Sequence, residues 1–480
     1  FAVVLAGHWV LLAERTRWPE GRYLAIDLQL VADRNHGAKG GEIDHAVACL
    51  AAESLIPTEE GTVWWNEVLA DSIKHTVGVS QDLRDGVRRS IELIANDVVT
   101  RRRAQGLDPL PKEQAQQLAL QSLRYLYRIL FLLFAEASPE LEVVPTVVGE
   151  YEDGYGLGRL RELVQVELSH DAASRRHIYD SLAVLFRQVD QGHTPPSPGE
   201  DGRHEGLRFN ALKADLFAPA AIALIDEVGL SDSELQRVLA HLLLSKEKKG
   251  SDRGFISYAN LGINQLGAVY EGLMSYTGFF AETDLYEVAK DGDSSKGSWV
   301  VEVDRSHDID RQHFVEAIDP LTGESKPVLH PKGSFVYRLA GRERQQSASY
   351  YTPEVLTRFV VSQALEELLD KSTTAADILT MTVCEPALGS GAFAIEAVRQ
   401  LAEEYLTRRQ GELGRDIDPD TYPKELQKVK ASIALHQVYG VDLNSTAVEL
   451  AEISLWLDTM VAGLDAPWFG LHLRRGNSLI

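Results

Sequence analysis

Glu385-Pro386-Ala387-Leu388-Gly389-Ser390-Gly391-Ala392-Phe393 joins the apolar run ADILTMTVCEP (376–386) to the helical pattern GAFAIEAVRQLAEEYL (391–406). Gly389 and Gly391 permit a tight strand-to-helix turn and let a ligand come close to the backbone. The loop is not a dinucleotide fingerprint, because G-x-G-x-x-G would need glycine where Ala394 stands, and no G-K-[ST] follows to make a P-loop. Glu385 at the strand end sets a carboxylate beside the loop. That charge repels a pyrophosphate and suits a cationic ligand such as an ammonium or a sulfonium.

Around this loop the chain alternates helix and strand: PEVLTRFVVSQALEELL (353–369), the run and helix just quoted, HQVYGVDLN (436–444), STAVELAEISLWLDTM (445–460) and GLHLRRGNSLI (470–480). Such alternation predicts a parallel sheet with helices on its faces and a ligand at the carboxyl ends of the strands. Asp442 closes the second strand, where an acidic side chain accepts hydrogen bonds from both hydroxyls of a ribose. A helix N-cap is the alternative role for it. Asp442 follows Gly391 by 442 − 391 = 51 residues, against about 20 in a minimal nucleotide-binding unit. The polar stretch RRQGELGRDIDPDTYPKELQ (408–427) accounts for the surplus as an inserted loop and short helix.

The 480 residues exceed one ordinary core, since single cores stop growing near about 250–300 residues. Four regions are expected. Residues 1–60 form a small α/β or β segment, the end of an upstream domain, in which FAVVLAGHWVLLAE (1–14) reads as a buried strand. Residues 61–290 form a helical domain, with helices from Trp64 to about Thr100 and over PKEQAQQLALQSLRYLYRILFLLFAEA (111–137). Within it, Arg101 to Arg103 read as a solvated basic cluster and QGHTPPSPGEDGRHEG (191–206) as a linker. A second helical group comprises SDSELQRVLAHLLL (231–244) and LGINQLGAVYEGLMSY (261–276). Residues 291–340 alternate apolar and polar positions between Gly and Pro turns, a β-hairpin connector, and 341–480 hold the loop and its sheet.

The composition, 44% hydrophobic and 25% charged, is that of a globular chain and excludes collagen-like, disordered and disulfide-scaffold classes. The net charge of −23 repels polyanions unless basic residues are segregated or supplied from elsewhere. Cys49 and Cys384, the two cysteines, are too few for a disulfide framework or a zinc site, which points to a reducing cytoplasm. No charge-free apolar run approaches the ~18 residues that span a bilayer, so no membrane partner is expected. The histidines show no ligand spacing, and no metal site is read.

Tyr350-Tyr351-Thr352-Pro353, EPALGSGAF, GVDLN and GNSL, in that order, resemble motifs X, I, II and III of the γ-type N6-adenine DNA methyltransferases. The resemblance covers roughly residues 340–480. LGAVYEGLM (266–274) resembles the segment preceding the methyltransferase domain in large enzymes of the type IIG, BREX and DISARM phage-defence kinds. The fold this implies is an α/β Rossmann-like SAM methyltransferase domain, in part, preceded by a large mainly α-helical region with a small β region. The cofactor implied is S-adenosyl-L-methionine (SAM). Tyr350, Tyr351, Thr352 and Pro353 then look like a lid over its methionine end, although Thr-Pro-Glu is also a sound helix start. Glu385, Pro386, Ala387, Gly389, Ser390, Gly391 and Phe393 look like the loop around the methionine moiety. Asp442 looks like the ribose ligand, Leu443 like the packing surface for the cofactor adenine, and Asn477 stands where relatives often carry an aspartate that accepts from the adenine amino group.

The family's base-binding motif, [NDS]-P-P-[YFW], is matched nowhere in the 480 residues; Pro195-Pro196 occurs as TPPSP. The chain therefore reads as the portion through motif III, with no catalytic residues of its own and with the motif expected beyond Ile480. The resemblance implies double-stranded DNA as a partner, mostly through regions outside this chain, and other defence-system subunits as further partners. It also implies adenine-N6 methylation that marks self DNA. Two other readings stay open: a non-catalytic SAM-binding scaffold of a defence complex, and a protein or RNA methyltransferase.

Overall fold

The computed structural model describes residues 1–14, 23–37, 41–57, 62–139, 142–146, 148–195, 207–244, 256, 258, 276–294, 298–318, 324–339, 352, 354–419, 421–461 and 469–480. Its first strands, β1 (Ala2–Ala6) and β2 (Trp9–Ala13), pair antiparallel with Ala6 opposite Trp9. The expectation of one buried strand over 1–14 is thereby corrected. Gly7, at φ +62°, and His8 close a two-residue turn, which needs a left-handed residue that glycine supplies without strain. The hairpin leaves β1 exposed along its whole length. β3 (Leu24–Asp27) adds to β2, and the Asp27 carboxylate caps α1 (Leu28–Arg34) by accepting from the N–H groups of Gln29 and Leu30, each at 3.0 Å. With α2 (Glu42–Leu50) and α3 (Ala52–Leu55), these elements belong to a compact unit of residues 1–78.

A second compact unit spans residues 79–480. It is mostly helical, with small sheets. The long α4 (Trp64–Ala104) runs into it, and α5 (Ala115–Ala137) follows a 3-10 turn entered at Pro111. Residues 112–137 are long and apolar enough to cross a membrane, yet most of that stretch is buried inside the protein. Arg128, within it, donates from Nε to the Leu216 carbonyl and from its guanidinium to the Ala218 carbonyl, both at 2.8 Å. These contacts make α5 a core helix. Tyr125 of α5 packs on Tyr179 and Phe186 of α6 (His177–Gln191), and α6 in turn packs on α7 (Asp232–Leu243), whose cap residue Ser231 donates to Asp97 at 3.0 Å.

Of the basic cluster at the end of α4 only Arg103 is exposed, and the expected solvated face is corrected for Arg101 and Arg102. Arg101 donates to the Val228 carbonyl at 3.1 Å, and Arg102, 9% exposed, donates to the Asp108 carbonyl and pairs with Glu227. Cations at a helix C-terminus satisfy free carbonyls and oppose the helix dipole. Residues 196–206 of the expected linker and 261–275 of the expected helix lie outside the described residues.

Short strands fill residues 276–339: β4 (Tyr276–Phe280), β5 (Leu285–Val288), β6 (Trp299–Glu302), β7 (Glu316–Ile318), β8 (Ser325–Pro327), β9 (Leu329–His330) and β10 (Phe335–Leu339). β10 pairs with β4, and α4 satisfies backbone groups of β10. Asn96 exchanges two hydrogen bonds with the Phe335 backbone at 2.8 and 2.9 Å, while Glu92 accepts from the Tyr337 N–H at 2.8 Å. The match is geometric, since i,i+4 on a helix advances about 6 Å, close to i,i+2 on a strand. Arg338 ties the same helix to β5 by pairing with Glu92 and with Glu287. Burial alone would push the Glu287 carboxyl up; hydrogen bonds from His330 and Ser298 and the Arg338 charge draw it down to about 2.

From residue 354 the chain follows the predicted alternation. α8 (Glu354–Leu368) leads to β11 (Val383–Glu385), α9 (Ala392–Leu413), α10 (Tyr422–Gln437), β12 (Val438–Asp442), α11 (Ser445–Thr459) and β13 (Leu473–Arg475). The strands form one sheet in the order β11-β12-β13, parallel throughout, with Glu385 beside Gly440 and Asp442 beside Arg475. Two expectations are corrected. The run 376–386 is strand only from Val383, because Thr374 and Asp377 form a reciprocal capping box that winds Ala375–Ile378 into a helical turn. The insertion before Asp442 is largely α9 extended to Leu413 plus the 16-residue α10, rather than a loop with a short helix. The apolar residues of this region and of the preceding helices make one continuous core, in which Phe131 of α5 stacks on Trp456 of α11 at 4.8 Å.

Candidate functional site

The carboxyl ends of β11, β12 and β13 lie side by side, and the loop after each carries candidate residues. After β11, Gly389 and Gly391 hold φ +52° and +78°. A methyl group on Gly391 would sit 3.3 Å from the Ala451 side chain, so this glycine lets the loop rest against α11. A methyl on Gly389 would meet nothing within 4 Å, which leaves that backbone approachable. Leu388 points inward, 2% exposed, and its N–H donates to the Val441 carbonyl at 3.0 Å. Gly440 on β12 makes room for it, since a Cβ there would be 2.6 Å from a Leu388 methyl.

Glu385 is buried, and its Oε2 accepts from the Ala394 N–H at 2.9 Å. It therefore holds the first turn of α9, a favourable place for an anion near a helix N-terminus. Pro386 and Ala387 are exposed, Ser390 is buried and Phe393 is half-buried at the start of α9. Asp442 reaches across to the same loop. Its Oδ2 accepts from the Gly389 N–H at 2.9 Å and its Oδ1 from the Asn444 N–H at 2.8 Å. Helix α11 is capped by Asn444, whose Oδ1 accepts from the Thr446 N–H at 2.9 Å. Asp442 is thus not the cap, and the helix-cap alternative falls to its neighbour two residues on.

Leu443 is 61% exposed beside this carboxylate, and Arg475 Nε donates to its carbonyl at 3.1 Å. Asn477, exposed two residues after β13, accepts at Oδ1 from the Leu479 N–H at 2.9 Å, an Asx turn that occupies one of its lone pairs. Thr352 is half-buried just ahead of α8; Tyr350, Tyr351 and Pro353 lie outside the described residues. Helix α8 rests on α9, where Gln400 donates to the Arg358 carbonyl at 3.2 Å and Arg358 lies 3.7 Å from Glu396.

The structure therefore brings Glu385, the 386–391 loop, Asp442 and Leu443 together. Sequence reasoning missed Asn444, Gly440 and Arg475. An asparagine immediately before an apolar-periodic helix is an N-cap signal, and a glycine inside a strand signals close approach; nothing local marks Arg475. For a sulfonium nucleoside carrying an amino acid, this donor set fits. Each Asp442 oxygen retains lone-pair capacity beyond its one N–H, the Gly389 backbone is open, and Leu443 offers an exposed apolar surface.

Residues 362–466 match the family described as MmeI, DNA-methyltransferase domain. That segment contains the glycine loop and Asp442 but neither Thr352 nor Asn477. A Methanocaldococcus jannaschii protein named as a type II restriction enzyme and methyltransferase is 26% identical over 188 residues, covering 30% of this chain and 15% of the relative. The type IIL restriction-modification enzyme MmeI, solved in complex with DNA, aligns over 82% of this chain and 40% of its own at 13% identity, with a TM-score of 0.35. The chain thus spans well under half the length of these relatives. Its 362–466 segment is similar to the DNA-methyltransferase domain of restriction-modification enzymes.

Proposed function

We propose that the region from Thr352 to Asn477 is the cofactor half of a Rossmann-like, SAM-dependent DNA adenine-N6 methyltransferase of a restriction-modification or phage-defence system. The observation that carries this reading is the Asp442–Gly389 hydrogen bond of 2.9 Å. It sets a carboxylate for two hydroxyls and a glycine turn against each other at the ends of adjacent parallel strands, where α/β sheets bind nucleosides. The match of residues 362–466 supports a methyltransferase use of that geometry.

SAM supplies an electrophilic methyl group on its sulfonium. The residues of this chain would bind and orient it: Asp442 would accept from the ribose, Leu443 would pack on the adenine, the Gly389 backbone would receive the methionine moiety, and Glu385 would place negative charge near the ammonium. The acceptor would be an adenine swung out of duplex DNA, whose N6 would take the methyl as the S–CH3 bond breaks to leave S-adenosylhomocysteine and as one N6 proton passes to solvent, a step that depends on positioning. Thermal denaturation with added ligands tests the cofactor assignment. SAM and S-adenosylhomocysteine raise the melting temperature, while NAD and ATP leave it unchanged, because Glu385 disfavours a pyrophosphate beside so short a loop. An equal shift with NAD would overturn it.

A further inference from the structure

Helix α11 leaves the candidate site directly, starting three residues after Asp442, and its far side meets the core helix α5. Two contacts define that meeting. Arg124 grips Glu449 with two hydrogen bonds, Nε to Oε1 at 2.6 Å and a terminal nitrogen to Oε2 at 2.9 Å. Seven residues further along both helices, Phe131 stacks on Trp456. Equal steps of seven residues, about 10.5 Å on a helix, mean that the two helices run in the same direction through these contacts.

The two contacts differ in kind. Trp456 is 6% exposed and sits in the continuous apolar core, whereas the Arg124–Glu449 contact is polar and part-buried. Both contacts border one cleft of about 530 Å³ along this side of α11, lined among others by Arg124, Asp215, Ser445, Glu452, Trp456 and Arg475. Ala447, Leu450 and Ala451 of the first two turns are buried, and on the side that borders the cleft the Arg124–Glu449 pair is the polar link from α5 to the start of α11. A two-pronged arginine–carboxylate contact fixes both distance and orientation.

We infer that Arg124 and Glu449 are positioning residues for the cofactor site: the helical region holds the start of α11, and with it the Asp442–Asn444 turn, in register with the glycine loop. The inference deepens the cofactor reading given above and rests on it for the ligand. Without the clasp the start of α11 loses its polar tie to α5 on the cleft side, and the Asp442–Asn444 turn ahead of it is held less firmly against Gly389.

The test uses the 480-residue chain in four forms: wild type, Arg124→Ala, Glu449→Gln and the charge-exchanged double variant Arg124→Glu/Glu449→Arg. SAM affinity is measured by calorimetry and local order by amide hydrogen exchange over residues 444–448. Each single variant weakens SAM by about fivefold or more, the low end of couplings between sites, and speeds exchange at 444–448; the exchanged pair restores both. A general packing role would lower the melting temperature without that rescue. Affinity within about twofold of wild type in both single variants, with unchanged exchange, overturns the inference. Should wild type fail to bind SAM while exchange still rises in the single variants and recovers in the double, the clasp stands and the cofactor reading falls.

Discussion

Asp442 has two jobs, and they are separable by substitution. Its oxygens already order the site by accepting from Gly389 and Asn444, and the ribose hydroxyls use the lone pairs that remain. Asp442→Ala removes charge-assisted bonds worth about 1.5–3 kcal/mol each, so SAM binding is lost to calorimetry while far-ultraviolet circular dichroism stays native. Asp442→Asn keeps one acceptor oxygen and retains weakened binding. Glu452 gives a second expectation. Burial, with the charges of Glu449 and Asp215 alongside, pushes its carboxyl up to about 7, so the folded state holds a proton that the unfolded chain releases near pH 4.5. Stability from this group is full below about pH 4.5 and declines as pH rises to about 7 and beyond. Glu452→Gln therefore raises the melting temperature by a few degrees at pH 8 and leaves it nearly unchanged at pH 4.5, as differential scanning fluorimetry across pH can show. The places of Asp442 and Glu385 at the ends of their strands were legible in the sequence because strand ends and glycine turns are local signals. The Gly389–Asp442 bond was not, since it joins residues 53 apart.

At the scale of elements, the glycine turn works because β12 leaves room for it. Gly440→Ala drives a methyl into the side chain of the buried Leu388, which must shift to admit it. Overpacking of this kind costs roughly 1–3 kcal/mol, so the urea midpoint falls, and SAM affinity falls with it because Leu388 seats the loop. Helical periodicity found α4, α5, α7, α8 and α11 within a few residues. Periodicity failed where local hydrogen bonding overruled it. The capping box at Thr374 shortened a strand, and Gly7 folded one expected strand into two. The 408–427 stretch looked like a loop because of its charge. Much of that polarity is the outer face of helices, with Arg408 paired to Glu404 and Lys428 to Glu425.

For the whole molecule, the sequence predicted a helical region and an α/β region but not their union in one apolar core, because that union depends on contacts such as Phe131 with Trp456 and Arg124 with Glu449, each across 325 residues. The net charge of −23 gives an expectation about DNA. Because binding to DNA draws on counterion release by basic residues and a net negative charge opposes it, the 480 residues alone are expected not to retard a duplex in a mobility-shift assay at about 150 mM salt, and to do so when basic regions are supplied. The account stands or falls on the cofactor. Calorimetric titration of the 480-residue chain with SAM up to about 1 mM, set beside NAD and ATP, is the most direct measurement. The expected result is saturable, one-to-one binding of SAM that disappears in Asp442→Ala and no heat of binding from NAD or ATP; absence of SAM binding in a folded chain, or binding that survives Asp442→Ala unchanged, would overturn the cofactor assignment.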